Sequence, residues 1–331
     1  MTQSLMKKQT ITKTLAVAGA IGALLTLSLA GCSSTSDPQA SCSGGTASGS
    51  VSDSVKVTGK TGSAPKVTFD KGLSAKKTEK TTVVKGDGSL VKSGQPVIFQ
   101  VTSYDGDTGK KIASFSTDYT SAGTYLMAGK ADSLTALSEG FVCSHVGDRI
   151  AVTGTAQEST NGQGIESSGV GATDSIVFVA DILKAFPARA TGKAVAPQAD
   201  LPTVKLAKNG APTITIPKDV TAPTKLVSQD LITGSGAKVK EGDQVMMQYT
   251  GVLYKNGKVF DSSWTKGQAF VGSLTSGQLI DGWVTGLAGK TIGSQVLLVV
   301  PPGDGYGSKA NGEIPANSTL VFVVDLLGKV S

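Results

Sequence analysis

The stretch VVKGDGSLVKSGQPVIFQVT at 83–102 returns as LITGSGAKVKEGDQVMMQYT at 231–250. Ala64-Pro65-Lys-Val-Thr-Phe returns as Ala211-Pro212-Thr-Ile-Thr-Ile, Gly109-Lys110 as Gly257-Lys258, and Glu139-Gly140-Phe141 as Thr285-Gly286-Leu287. SIVFVADIL at 175–183 returns as TLVFVVDLL at 319–327. The order is collinear, and the offset stays between 144 and 148 residues. A chain that repeats itself in order at that spacing is a tandem pair of related units. They are placed at 53–187 and 201–331, with a Pro/Ala-rich connector at 188–200 between them.

Each unit reads mainly as strands. Val245–Tyr254, Gln295–Val300 and Thr319–Leu327 are rich in β-formers, and Asn256-Gly257 is a hairpin-turn signal. One segment changes period. In LIDGWVTGLAG, Ile280, Trp283, Val284 and Leu287 recur at i, i+3, i+4 and i+7, the spacing of one helix face. Strands with one short helix against them make each unit an α+β fold, the helix covering the apolar face of the sheet. Composition agrees. Gly numbers 42, aromatics are only 5%, and 39% apolar against 17% charged residues suits a packed core and not a disordered chain. The net charge of +6 is spread, with no dense basic run outside the N-terminus, so a nucleic-acid partner is not expected.

The first residues read as a targeting signal. Lys7, Lys8 and Lys13 precede an apolar run of 16 residues, Leu15–Ala30, which is short for a membrane span. The run ends in Leu29-Ala30-Gly31-Cys32, which resembles the lipobox of bacterial lipoproteins. That resemblance implies a signal peptide at 1–31, diacylation of Cys32, and a protein lipid-anchored on the extracytoplasmic face of a bacterial membrane. Two acyl chains hold far more firmly than one. The Ser/Gly-rich stretch at 32–52 reads as a flexible tether. Cys42 and Cys143 remain. An oxidising compartment allows a disulfide between them, and spacing leaves two free thiols equally open.

Asp261, Ser262 and Ser263 in VFDSSW (259–264) look at first like parts of a nucleophilic site. The only histidine, His145, lies in the other unit, and an unperturbed carboxylate is a poor base near neutrality. GLAGKT at 286–291 lacks the first glycine of a phosphate loop, and no metal-ligand spacing is present; neither cofactor nor metal is expected. The second unit instead concentrates aromatics: Tyr249, Phe260, Phe270, Trp283, Tyr306 and Phe322. The aligned first unit has Val101 for Tyr249, Ile112 for Phe260, Ala113 for Asp261 and Leu137 near Trp283, while Phe178 keeps the place of Phe322. A set lost from one copy while the framework stays points to a pocket in the second unit.

GDQVMMQYTGVLYKNGKVFDSS (242–263), LIDGWVTGL (279–287), PPGDGYG (301–307) and EIPANSTLVFVVDLL (313–327) together resemble FKBP-type peptidyl-prolyl cis-trans isomerases. The resemblance covers about 100 residues, in family order. It implies a bent antiparallel sheet around a short helix, with an apolar cleft that takes a proline ring. Tyr249, Phe260, Asp261, Trp283, Tyr306 and Phe322 fall on the family's catalytic positions, and Phe270, Leu279, Ile280 and Ile314 on its substrate-binding ones. Trp283 is implied as the floor, with the Ile280 N–H and the Tyr306 hydroxyl as donors to substrate carbonyls. Lys266 stands where the family commonly has an Arg, and Gly272 where it often has an aromatic. The implied function is X–Pro isomerisation in exported proteins, with the first unit degenerate. Macrolide binding is left open by the resemblance. A non-catalytic binder of proline-containing segments is the competing reading, and a purely structural envelope protein a third.

Overall fold

The computed structural model describes residues 42–330 except 132 and 161. The proposed signal peptide and Cys32 lie outside the described residues. The first unit opens with a short helix, α1 (Ser50–Ser54), and a hairpin of β1 (Lys56–Thr58) and β2 (Lys66–Thr68). Its main sheet holds β3 (Glu79–Val84), β4 (Pro96–Asp105), β5 (Thr124–Met127), β6 (Arg149–Thr155) and β7 (Ser175–Ala185). The strands are antiparallel in the order β3-β6-β7-β4-β5. Helix α2 (Thr135–Phe141) and the single turn α3 (Ala156–Ser159) lie beside it.

The connector carries β8 (Lys193–Ala194), and the second unit opens with the hairpin of β9 (Thr203–Leu206) and β10 (Pro212–Thr215). Its sheet holds β11 (Val227–Thr233), β12 (Gln244–Leu253), β13 (Val259–Ser262), β14 (Phe270–Ser273), β15 (Gln295–Val300) and β16 (Leu320–Lys329). The order is β13-β12-β16-β15-β11-β8, with β14 also on β12. β8 comes from the connector and pairs with β11, so part of that connector joins the sheet.

The repeat extends to the register. Gln100 faces Asp181 across β4 and β7, and Gln248 faces Asp325 across β12 and β16. The ladder shifts at Ile98/Phe99 in one unit and at Met246/Met247 in the other. The edge strands shift at Thr82/Val84 and at Asp230/Ile232, again 148 residues apart. A bulge adds local twist, and a bulge at matching positions bends both sheets alike.

Each sheet is covered on both faces. One face packs on the helix: Val91, Phe99, Leu137, Phe141 and Phe178 in the first unit, Val245, Met247, Leu287, Leu298 and Val324 in the second. The other packs on the hairpin, through Val67 and Val177 in the first unit and Ile214 and Val321 in the second. The repeated Ala-Pro block therefore makes a back cover.

Helix α4 (Asp281–Leu287) forms although Gly282 and Gly286 are poor helix residues. They lie one turn apart, over β15. A Cβ on Gly282 would come within 2.6 Å of Val300, and one on Gly286 within 2.6 Å of Leu298. Close approach of the helix to the sheet offsets their propensity cost.

The tether reading of 32–52 needs correction over its second part. Cys42 and Cys143 form a disulfide. Lys80 N–H donates to the Ala47 carbonyl, and the Glu79 carboxylate accepts from the Val51 and Ser52 N–H groups. Ser52 is fully buried. Ser/Gly composition signals freedom only where nothing holds the backbone; here a cross-link and a carboxylate do.

A buried acid at the same place in each sheet holds a neighbouring segment, the β1–β2 turn in the first unit and the connector in the second. Asp181 accepts from Gly62 N–H and from Arg149, while Asp325 accepts from Ala190 N–H and Gln295 Nε2. Burial pushes the Asp325 carboxyl up to about 6 against the pull of those donors and of Arg189. The folded state therefore holds this proton more tightly than the unfolded chain. This term stabilises the protein progressively as pH falls from about 6 toward 4, and is a cost at pH 7. Urea titrations should show that gain for the native chain over the window. Asp325→Asn should lose it; an unchanged pH dependence would contradict the burial argument.

The two sheets meet through Ile98, Met127 and Phe186 of the first unit and Met246, Ala269 and Leu327 of the second. Tyr125 donates its hydroxyl to the Ala269 carbonyl at 3.2 Å. Gly328 makes room for this contact, since a Cβ there would stand 2.3 Å from the Phe186 ring.

Candidate active site

Strand β12 alternates its side chains. Val245, Met247 and Tyr249 join the cluster under α4, and Met246, Val252 and Tyr254 face away from it. Its neighbour β13 breaks that rule. Gly251 pairs with Asp261 and Val252 with Val259, which leaves Phe260 as the extra residue of a bulge. In a regular strand Phe260 and Asp261 would point to opposite faces; through the bulge both line one cleft. Gly251 is the seat for the displaced ring, because a Cβ there would lie 2.6 Å from Phe260 and 2.8 Å from Phe322.

The cleft measures about 540 Å³. Trp283, on α4, is buried at its base, with Tyr249 and Phe322 edge-on at 5.3 Å each and Phe270 at 6.1 Å. Phe260 stands edge-on to Phe322 at 5.5 Å. Edge-to-face contacts of this kind hold rings at fixed angles, so the cavity is preformed. Leu279, Ile280 and the exposed Tyr306 complete the wall. Ile280 is the N-cap residue of α4, and its backbone N–H donates to no acceptor among the described residues.

Tyr249 donates its hydroxyl to Asp261 at 2.6 Å, and the Lys266 ammonium meets the other carboxylate oxygen at 2.5 Å. Burial pushes the Asp261 carboxyl up, yet the Lys266 and Tyr249 bonds outweigh it and hold it below its ordinary value. Burial, then the hydrogen bond to Asp261 and its charge, raises the Tyr249 phenol well above its own. Asp261 is thus an ionised acceptor, committed to two donors, and a poor proton carrier. The serines of VFDSSW are buried and structural. Ser262 bonds Thr250, and Ser263 donates to Gln248 and accepts from Tyr249 N–H.

Of the residues singled out from sequence, Tyr249, Phe260, Asp261, Phe270, Leu279, Ile280, Trp283, Tyr306 and Phe322 line this cleft. Ile314 does not. It exchanges backbone hydrogen bonds with Asn311 in a turn that sends it into the buried cluster. Ser276, Gly277 and Gln278 also line the cleft and carry no sequence signal beyond their nearness to the motifs, whereas Asp281 and Gly305 lie within LIDGWVTGL and PPGDGYG without having been singled out. The Gly272 position is filled by Phe270, whose ring stands 2.7 Å from where a Cβ would be. In the first unit Val101, Ile112, Leu137 and Phe178 all belong to the buried core, so the matching space is filled. No cluster of metal-binding side chains occurs among the described residues.

A family model described as FKBP-type peptidyl-prolyl cis-trans isomerase matches residues 235–327. A probable FK506-binding protein of Corynebacterium glutamicum is 40% identical over 106 residues, 32% of this chain and 88% of the relative. FK506-binding protein 2B of Rhizopus delemar is 47% identical over 91 residues, covering 27% of this chain and 44% of that one. FK506-binding protein 4 of Saccharomyces cerevisiae is 45% identical over 102 residues, 31% of this chain and 26% of the relative. The chain therefore spans less than half of those two fungal relatives. The chain belongs to the FKBP-type peptidyl-prolyl cis-trans isomerases, through its second unit.

Proposed function

We propose that the second unit isomerises X–Pro bonds in exported polypeptides, and that diacylation of Cys32 holds the protein on the outer face of the cytoplasmic membrane. The observation that carries the catalytic reading is the preformed aromatic cleft over Trp283, beside the Tyr249–Asp261 bond. Amide rotation meets a barrier of about 20 kcal/mol because the planar bond is resonance-stabilised. The twisted transition state has lost that resonance and much of its charge separation. An apolar cleft therefore harms it less than it harms the planar ground state, and this difference is what lowers the barrier. The proline ring rests on Trp283. The free Ile280 N–H and the Tyr306 hydroxyl hold the flanking carbonyls during the twist. Asp261 keeps Tyr249 in place as a wall.

Tyr306→Phe keeps the ring and removes one donor. A neutral hydrogen bond contributes about 0.5–1.5 kcal/mol, so kcat/KM should fall roughly two- to tenfold. Exchange spectroscopy on a Leu-Pro peptide measures this; an unchanged rate would remove Tyr306 from the mechanism. FK506-like macrolides are candidate occupants of the same cleft, given the names of the relatives. The first unit, with its matching space filled, serves as a spacer or client-binding surface without turnover. Metabolic labelling with a fatty acid, lost in Cys32→Ser, tests the anchor.

A further inference from the structure

VFDSSW ends on Trp264, which the aromatic cleft does not use. One residue before Tyr249 on β12, Gln248 faces the other way, into a second cleft of about 340 Å³. This cleft lies where the two units and their connector meet. Trp264 and Gln248 come from the second unit, Met127 and Lys130 from the first, Arg189 from the connector and Lys208 from the β9–β10 turn. Lys130, Arg189 and Lys208 form no salt bridge among the described residues, and no Asp or Glu lines the cleft.

The concavity is built and not incidental. Arg189 donates to the Lys208 carbonyl at 3.2 Å, which fixes the turn. Gly210, at φ +100, sits between Arg189 and Trp264, and a Cβ there would meet them at 2.8 and 3.2 Å. Gln248 is only 3% exposed. Its amide oxygen accepts from Ser263, and its amide N–H donates to nothing among the described residues.

We propose that this inter-unit cleft binds acidic segments of client polypeptides. Carboxylates pair with Lys130, Arg189 and Lys208 and accept from Gln248, while the aliphatic parts of the segment lie on Trp264 and Met127. A concave, side-chain-sized space suits a polypeptide, whereas a lipid surface calls for an exposed convex face. The isomerase cleft is near. Asp261 and Trp264 are three residues apart, at most about 11 Å along the chain. A client with its X–Pro bond over Trp283 can lay an acidic flank across the Lys266 loop into the second cleft. This coupling rests on the isomerase reading; the binding itself does not.

The test uses the full chain and two Leu-Pro peptides that differ only in a flank of three Glu or three Gln, each placed before or after the proline. For one placement the Glu flank should lower KM about tenfold at low salt with kcat unchanged. The advantage should vanish at high salt and in Lys130→Glu/Lys208→Glu, which should turn over the Gln peptide normally. Equal KM for both peptides at both placements, or an advantage that survives the charge reversal, would overturn the coupled site. A proline-free Glu/Ala peptide tests binding separately, through the NMR shift of the Trp264 indole N–H. That shift is expected even if no peptide is isomerised, which keeps failure here distinct from failure of the isomerase. No shift, or a shift caused by phosphatidylglycerol vesicles but not by the peptide, would overturn the proposal.

Discussion

Arg149→Met should destabilise the first unit by about 3–5 kcal/mol, read as a drop in urea midpoint. Arg149 is fully buried and holds Asp181 through Nε at 2.5 Å and Nη2 at 2.7 Å. Nη1 donates to the Gly59 carbonyl and Nη2 also reaches the Lys60 and Ser63 carbonyls, which ties the β1–β2 hairpin onto the sheet. Methionine fills much of the volume but leaves the Asp181 carboxylate with one donor, Gly62 N–H. The second unit supplies an internal control, since Gln295 takes the same register position opposite Asp325. There the acid answers by rising to about 6. Arg149→Gln should copy that answer, and its stability should recover as pH falls below 6. A loss under about 1 kcal/mol in Arg149→Met would mean that the pair merely balances its own desolvation.

Trp283→Ala should lower kcat/KM on a Leu-Pro peptide by tenfold to about a hundredfold, a loss of about 1.4–3 kcal/mol of transition-state stabilisation. Trp283 touches three cleft rings at once, so its removal frees Tyr249, Phe270 and Phe322 as well as taking away the floor. It is also part of the buried cluster, and the cavity should cost about 3–5 kcal/mol of stability. Circular dichroism and a melting curve separate the two effects. Trp283→Phe, which keeps a ring in the cleft, should recover part of the activity. A well-folded Trp283→Ala with full activity would remove the floor from the mechanism.

Much of the fold was legible in the chain because the repeat doubles every signal. Alternation placed Val245–Tyr254 and Thr319–Leu327 close to β12 and β16, and the i, i+3, i+4, i+7 spacing placed α4. The loss of aromatics from the first copy marked the cleft. What stayed hidden depends on contacts distant in sequence. A bulge that turns Phe260 and Asp261 to one side is a property of the β12–β13 ladder and not of VFDSSW. The burial of Ile314 follows from a turn with no strong marker. Docking of residues 42–52 depends on Glu79 and Cys143, far along the chain. The two hairpins read as repeated blocks, but nothing in them says which face they cover.

The most direct test of the central claim is NMR exchange spectroscopy of a Leu-Pro peptide with catalytic amounts of the full chain. Cis–trans exchange should rise in proportion to protein concentration and be blocked by a macrolide or proline-peptide occupant of the Trp283 cleft. Exchange at the uncatalysed rate, with the protein folded and the peptide bound at Trp283, would contradict the claim and leave a cleft that only holds proline.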